Sequence, residues 1–177
     1  MKKVLIGVIV LIVGITVFAN IGDDGEIPRD NVSESSQVTK NENTENPQNK
    51  EDGFYYVGEY GVSIKEVKMF EDSISKCVIV TYEFKNTSKN PQSFNYAFSA
   101  HAYQGGVELN NPELRFIDGL TDYSDNAGTN IKDGASIEVD AAYRLIDDTS
   151  EVEIEVGNSL LGLAGAEPLR ETFSIIG

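Results

Sequence analysis

The 177-residue sequence has no tryptophan, a single cysteine and a single histidine. With only Cys77, no intramolecular disulfide can form, which excludes a cystine-stapled secreted scaffold and argues against a thiolate zinc site. The cysteine lies in Lys76-Cys77-Val78-Ile79-Val80, a run that reads as a core strand, so the thiol is expected to be buried and inert. Any histidine-dependent chemistry would have to use His101. Basic side chains are also scarce: 14 Lys and Arg stand against 29 Asp and Glu, a net charge of −15. Such a chain repels phosphate backbones and anionic lipid surfaces, and it has no cluster of Lys and Arg to neutralise DNA. Nucleic acid is excluded as a partner on that ground.

The apolar residues that are present are unevenly placed. Met1-Lys2-Lys3 is followed by an uncharged apolar run from Val4 to Phe18, and Val17-Phe18-Ala19 suits cleavage before Asn20. Val4 to Ala19 would make a helix of about 24 Å at ~1.5 Å per residue, short against a hydrocarbon core of about 30 Å. Residues 1–19 are therefore read as a signal peptide, with an uncleaved N-terminal membrane anchor as the alternative. Either way the rest of the chain is expected outside the cytoplasm, touching a membrane only through this segment if it is kept. No cysteine follows the run, which argues against a lipid anchor.

Residues 20–52 carry no aromatic residue, and the scattered Ile21, Ile27, Val32 and Val38 show no period. This stretch is expected to be a disordered acidic linker with a reach of about 30 Å on the ~5–6 Å × √n scaling of flexible chains.

From Phe54 the pattern becomes alternation. Val62-Ser63-Ile64 alternates, then slips phase before Val67-Lys68-Met69, the mark of a bulge. Val78, Val80, Tyr82 and Phe84 make one face of a long strand, with Cys77, Ile79 and Thr81 on the other. Phe94, Tyr96, Phe98, Ala100 and Ala102 read as the inner face of the next. Ala135, Ile137, Val139, Ala141, Tyr143 and Leu145 alternate most cleanly, and Val152, Ile154 and Val156 repeat the pattern with Glu151, Glu153 and Glu155 outside. A helical turn is allowed within 159–169, and a final strand within 172–176. About seven strands without a long helix predict an all-β domain over 53–177, an immunoglobulin-like antiparallel β-sandwich.

Several stretches carry a family resemblance. A strand ending Val80-Thr81-Tyr82-Glu83-Phe84-Lys85-Asn86-Thr87 is followed by Ala100-His101-Ala102-Tyr103-Gln104-Gly105-Gly106-Val107-Glu108-Leu109. Ile131-Lys132-Asp133-Gly134-Ala135, Tyr143-Arg144-Leu145 and Val152-Glu153-Ile154-Glu155-Val156 come next. In that order they resemble exported Gram-positive proteins grouped only as domain of unknown function 5067. That group is similar in fold to the immunoprotective extracellular proteins of mycobacteria, which are immunoglobulin-like. The resemblance implies a sandwich and export, and it supplies no catalytic residues. Many members carry a lipoprotein cysteine that this sequence lacks.

No catalytic set is visible. A simple hairpin would place Cys77 opposite His101, the minimum for an activated thiol, but a sandwich would send those strands to different sheets. There is no phosphate-cradling loop and no nucleophile elbow. In the loop 118–126, Asp118, Asp122, Asp125 and Asn126 could offer oxygens to calcium, although the spacing matches no EF-hand and these are ordinary turn residues. Phe54, Tyr55 and Tyr56 either start the first strand or form an aromatic contact patch. The expectation is an exported, non-enzymatic module without a cofactor, binding an unknown envelope or host protein or the wall. The alternative is a carrier of a small ligand or calcium.

Overall fold

The computed structural model describes residues 37–40, 50–159 and 167–176, all within one compact unit spanning 34–177. The expected leader, 1–19, most of the expected linker and the helical turn allowed near 160–166 lie outside the described residues. The strands are β1 (Gln37–Lys40), β2 (Lys50–Glu51), β3 (Phe54–Val57), β4 (Tyr60–Glu71), β5 (Lys76–Asn86), β6 (Phe98–Gln104), β7 (Val107–Glu108), β8 (Ser136–Arg144), β9 (Val152–Asn158) and β10 (Leu169–Ile176). A helical turn α1 (Phe94–Ala97) precedes β6, and a 3-10 turn η1 (Leu114–Phe116) follows β7. The strands form two antiparallel five-stranded sheets, ordered β2-β3-β4-β5-β8 and β1-β10-β9-β6-β7.

The all-β sandwich expectation holds, with more strands than the pattern suggested. β4, β5 and β8 take the places of strands A, B and E of an immunoglobulin fold, and β10, β9, β6 and β7 those of G, F, C and C′. No strand among the described residues fills the D position beside β8. The crossover 109–135 occupies that side instead.

β5 shows why the core forms. Val78, Val80, Tyr82 and Phe84 are fully buried between the sheets, against Val152, Ile154 and Val156 of β9 and Leu169 and Phe173 of β10. Phe84, Phe94 and Phe98 meet edge-on or tilted, with centroids 5.9–6.2 Å apart. The phase slip in β4 is a bulge: the register with β5 shifts between Ile64 and Glu66, so Val62 and Ile64 before it and Val67 and Met69 after it all face the core.

Two sequence expectations are corrected. The expected linker includes ordered strand. Gln37–Lys40 pairs with β10, Val38 packs on the core, and the Lys40 Nζ lies 2.6 Å from the buried Glu171 carboxylate. Lys50–Glu51 pairs with β3. A four-residue strand around one valine is too short to show a period, and the edge of β10 supplies its order. Phe94 and Tyr96, read as strand, belong to α1: Phe94 is buried while Tyr96 is 47% exposed.

Candidate functional site

The structure separates Cys77 from His101. Cys77 lies in β5 between β4 and β8, and His101 lies in β6 of the other sheet, opposite Glu155. The Cys77 thiol is buried, donates to the Phe70 carbonyl at 3.4 Å, and is pushed up to about 11 by burial. His101 is half-exposed, with Nδ1 2.7 Å from Glu108 Oε1. Neither group can activate the other.

The loop 118–126 has a packing role. Leu114, Ile117, Leu120 and Tyr123 pack over Phe70, Cys77, Ile79 and Ala142, the outward side of β4, β5 and β8. Ser124 fixes the loop to the β8 edge: its N–H donates to Asp140 Oδ2 (2.6 Å), and its carbonyl accepts the Asp140 N–H (3.0 Å). Asn126 is turned the same way, its Nδ2 donating to the Glu138 carbonyl at 3.2 Å. Asp118, Asp122 and Asp125 are exposed. Among the described residues no three His, Cys, Asp or Glu side chains group as a metal site. Phe54, Tyr55 and Tyr56 start β3, and Tyr55 is buried with its hydroxyl donating to the Glu167 carbonyl at 2.6 Å.

The stretches that carry the family resemblance hold the fold together. Asn86, fully buried at the end of β5, donates from Nδ2 to the Asn90 and Ile131 carbonyls (2.9 and 2.8 Å) and accepts the Ser88 N–H (2.8 Å). One amide thus ties the β5 turn to the start of the chain leading into β8. Gln104 does the same between β8 and β9: its Nε2 donates to the Asp147 and Ser150 carbonyls, and its Oε1 accepts the Ile146 N–H at 2.8 Å. Gly105 and Gly106, at φ 56° and 80°, form the tight turn between β6 and β7 that side chains with a Cβ resist.

The feature these motifs leave unexplained is an opening on the side of the sandwich where a D strand would lie. It is a hollow of about 490 Å³ between β6 and β8, with Phe94, Phe98 and Tyr143 at its floor. Asn111, Glu113 and Asp125 line its rim. One end is closed where the Asn95 N–H donates to the Ala127 carbonyl (3.0 Å), the other where the Arg144 N–H donates to the Asn110 carbonyl (2.9 Å). Tyr143 is pushed up to about 12, mainly by burial, so it presents a neutral phenol whose oxygen lies 3.2 Å from that of Tyr82.

The β6 backbone along this opening follows from the register. The Leu109 N–H donates to the Ala102 carbonyl (2.8 Å), so the main-chain groups of Ala102 point away from β9. The period of two turns the N–H and carbonyl of Ala100 the same way. β7 pairs with Tyr103 and Gln104 and Leu109 extends that pairing to Ala102, so no strand among the described residues pairs with 98–101 on that side. The sequence held no local signal for Ala100 or for the opening, because both depend on which strands become edges. A second hollow, about 460 Å³, lies where the crossover meets the polar half of the β4-β5-β8 outer face, beside Lys68, Phe70, Leu120 and Glu138.

A family model described as a domain of unknown function (DUF5067) matches residues 35–158. None of the curated proteins matches the chain. Among solved structures, a candidate lipoprotein from Bacillus subtilis is 19% identical at a TM-score of 0.51, over 72% of this chain and 39% of that one. The chain therefore spans about two fifths of that protein, and the likeness is one of fold. A candidate lipoprotein from Staphylococcus aureus is 11% identical at a TM-score of 0.49, over 75% of this chain and 92% of that one.

Proposed function

The chain belongs to the DUF5067 family, and from that premise we propose that it is an exported, non-enzymatic interaction module of the cell envelope, binding a partner protein through the open side of its sandwich. The observation that carries this reading is the hollow between β6 and β8, beside a length of β6 edge without a strand partner among the described residues. Its floor is aromatic and its rim polar, the make-up of recognition surfaces. Export is supported by the charged start and apolar run of the leader, and by the description of the Bacillus subtilis protein that shares the fold as a candidate lipoprotein. The absence of enzymatic activity is supported by the separation of Cys77 from His101 and by the structural roles of the motif residues.

In-cell photo-crosslinking on the full chain tests the reading. A crosslinking residue at Ser99 or Asn111, beside the opening, should trap a discrete protein adduct, and one at Glu59, in the β3–β4 turn, should not. Equal trapping at all three sites, or none at any, would sink it. A fusion to a reporter active only outside the cytoplasm tests export separately.

A second reading, a small-ligand carrier, is favoured by the size of the same hollow, which lies within the ~300–1,000 Å³ range of ligand pockets. It requires a rise in melting temperature with a metabolite panel, and a protein partner alone would not produce that rise.

A further inference from the structure

We propose that β6 accepts an extended, cationic peptide segment as an added strand, bonded to the main chain of Ala100 and lying along the opening between β6 and β8. The proposal rests on the interaction-module reading and gives it a site and a ligand chemistry.

Three features converge on this occupant. The first is the edge. Ala100 turns both its N–H and its carbonyl away from β9, one step before Ala102, where the chain leaving β7 takes over that side through Leu109. An extended peptide satisfies such groups by strand addition, where main-chain bonds supply affinity and alternate side chains supply specificity. The second is the space. Every other side chain of an added strand would point inward, into a hollow of about 490 Å³ over Phe94, Phe98 and Tyr143. That favours small or β-branched apolar residues at those positions. The third is charge. Asp125 stands exposed on the rim beside Glu113, which holds Arg115, Glu108 on the neighbouring β7 holds His101, and the chain as a whole carries a net charge of −15. Lysine or arginine at the outward positions is attracted by that field, whereas an acidic peptide or a second copy of this chain is repelled. The closed ends at Asn95–Ala127 and Asn110–Arg144 limit the paired length to a few residues.

The probe is an end-blocked octapeptide alternating valine and lysine, titrated calorimetrically into the full-length chain. Its controls are the valine–glutamate counterpart and a valine–lysine peptide with alternate amides N-methylated. The valine–lysine peptide is expected to bind, and each control to bind at least tenfold more weakly. Ala100→Pro removes an N–H that the β6–β9 ladder does not use, a position where an edge strand tolerates proline. It should weaken binding at least tenfold. Asp125→Lys, at an exposed rim position, should weaken it threefold or more and flatten its dependence on salt. If Ala100→Pro fails to fold, the N-methylated peptide and Asp125→Lys decide the matter. Failure of the valine–lysine peptide to bind, or equal binding by the N-methylated peptide, overturns the proposal. If in-cell crosslinking at Ser99 persists while these peptide tests fail, the interaction module stands and strand addition is wrong. If both fail, both readings fall.

Discussion

The outer faces of the two sheets are built on the same alternation and end up in opposite environments. On β9, the residues between the core positions are Glu153 and Glu155, and that face stays open, laced by Arg170 to Glu155 (2.8 Å) and His101 to Glu108. On β5 the equivalent positions begin with Cys77 and Ile79, and that end of the face is roofed by Leu114, Ile117, Leu120 and Tyr123. The difference shows that apolar residues on both sides of a strand call for a second cover, which here comes from the crossover that stands in for a D strand. It also explains why the described residues leave that side of the sandwich without a strand. The chain that could have paired with β8 is drawn across the outer face, hydrogen-bonding the β8 edge at Asn110, Ser124 and Asn126.

The sharpest way to break the comparison is to put a β9 residue on the β5 face. Ile79→Glu would bury a carboxylate beneath the roof, and urea unfolding should show a loss of about 4 kcal/mol or more. A loss below about 1 kcal/mol would mean that the crossover does not pack there. Thinning the roof is milder: Ile117→Ala should cost about 2–4 kcal/mol. It should also speed alkylation of Cys77 in the folded protein, a thiol otherwise slowed by burial.

The sandwich was legible because its core strands alternate over long runs. Val78 to Phe84 and Val152 to Val156 needed no context, and the β4 bulge showed as a phase change between Ile64 and Val67. The elements missed were those where local pattern and tertiary setting part. Phe94, Tyr96 and Phe98 recur every second residue, as in a strand. Yet Phe94 reaches the core from a helical turn, and the Ala97 N–H bonds back to the Ser93 carbonyl at 3.3 Å. β1 rests on Val38 and on its pairing with β10, too little for any period to reveal. The loop 118–126 was legible as a loop but not as a roof, because Leu114, Ile117 and Leu120 gain meaning only beside Ile79 and Cys77. The opening was not legible at all, since edges are a property of sheet order.

The roofed face also carries an ion pair whose acid dependence sharpens the contrast. At the start of β5, where Arg144 lies opposite Cys77, Arg144 NH2 bonds Asp72 Oδ2 at 2.8 Å, and Asp72 Oδ1 accepts the Ile74 and Ser75 N–H groups. These bonds, Arg144 first, hold the Asp72 carboxyl well below the usual carboxylate range. A carboxyl whose folded pKa is depressed adds stability that is complete above its unfolded value, about 3.9, and is lost as pH falls toward the folded one. Urea midpoints measured from pH 5 to pH 2 should therefore fall more steeply for the native chain than for Asp72→Asn. Parallel curves would show that the pair is not made in solution.

The smallest effect is expected on the open face. Glu153→Lys reverses a charge that no core packing depends on, so stability should change by no more than about 0.5 kcal/mol. The local field, however, should respond. The Tyr103 phenol, which lies across from Glu153, is held above its ordinary value by desolvation first and then by Glu108, Glu155 and Glu153. Replacing one of those carboxylates with a cation should move the Tyr103 titration, followed by NMR of its ring, to lower pH. An unchanged melting temperature with a lowered Tyr103 pKa would mark this face as a solvated field of charge. A large loss of stability would mean that it too is packed, and the contrast with β5 would disappear.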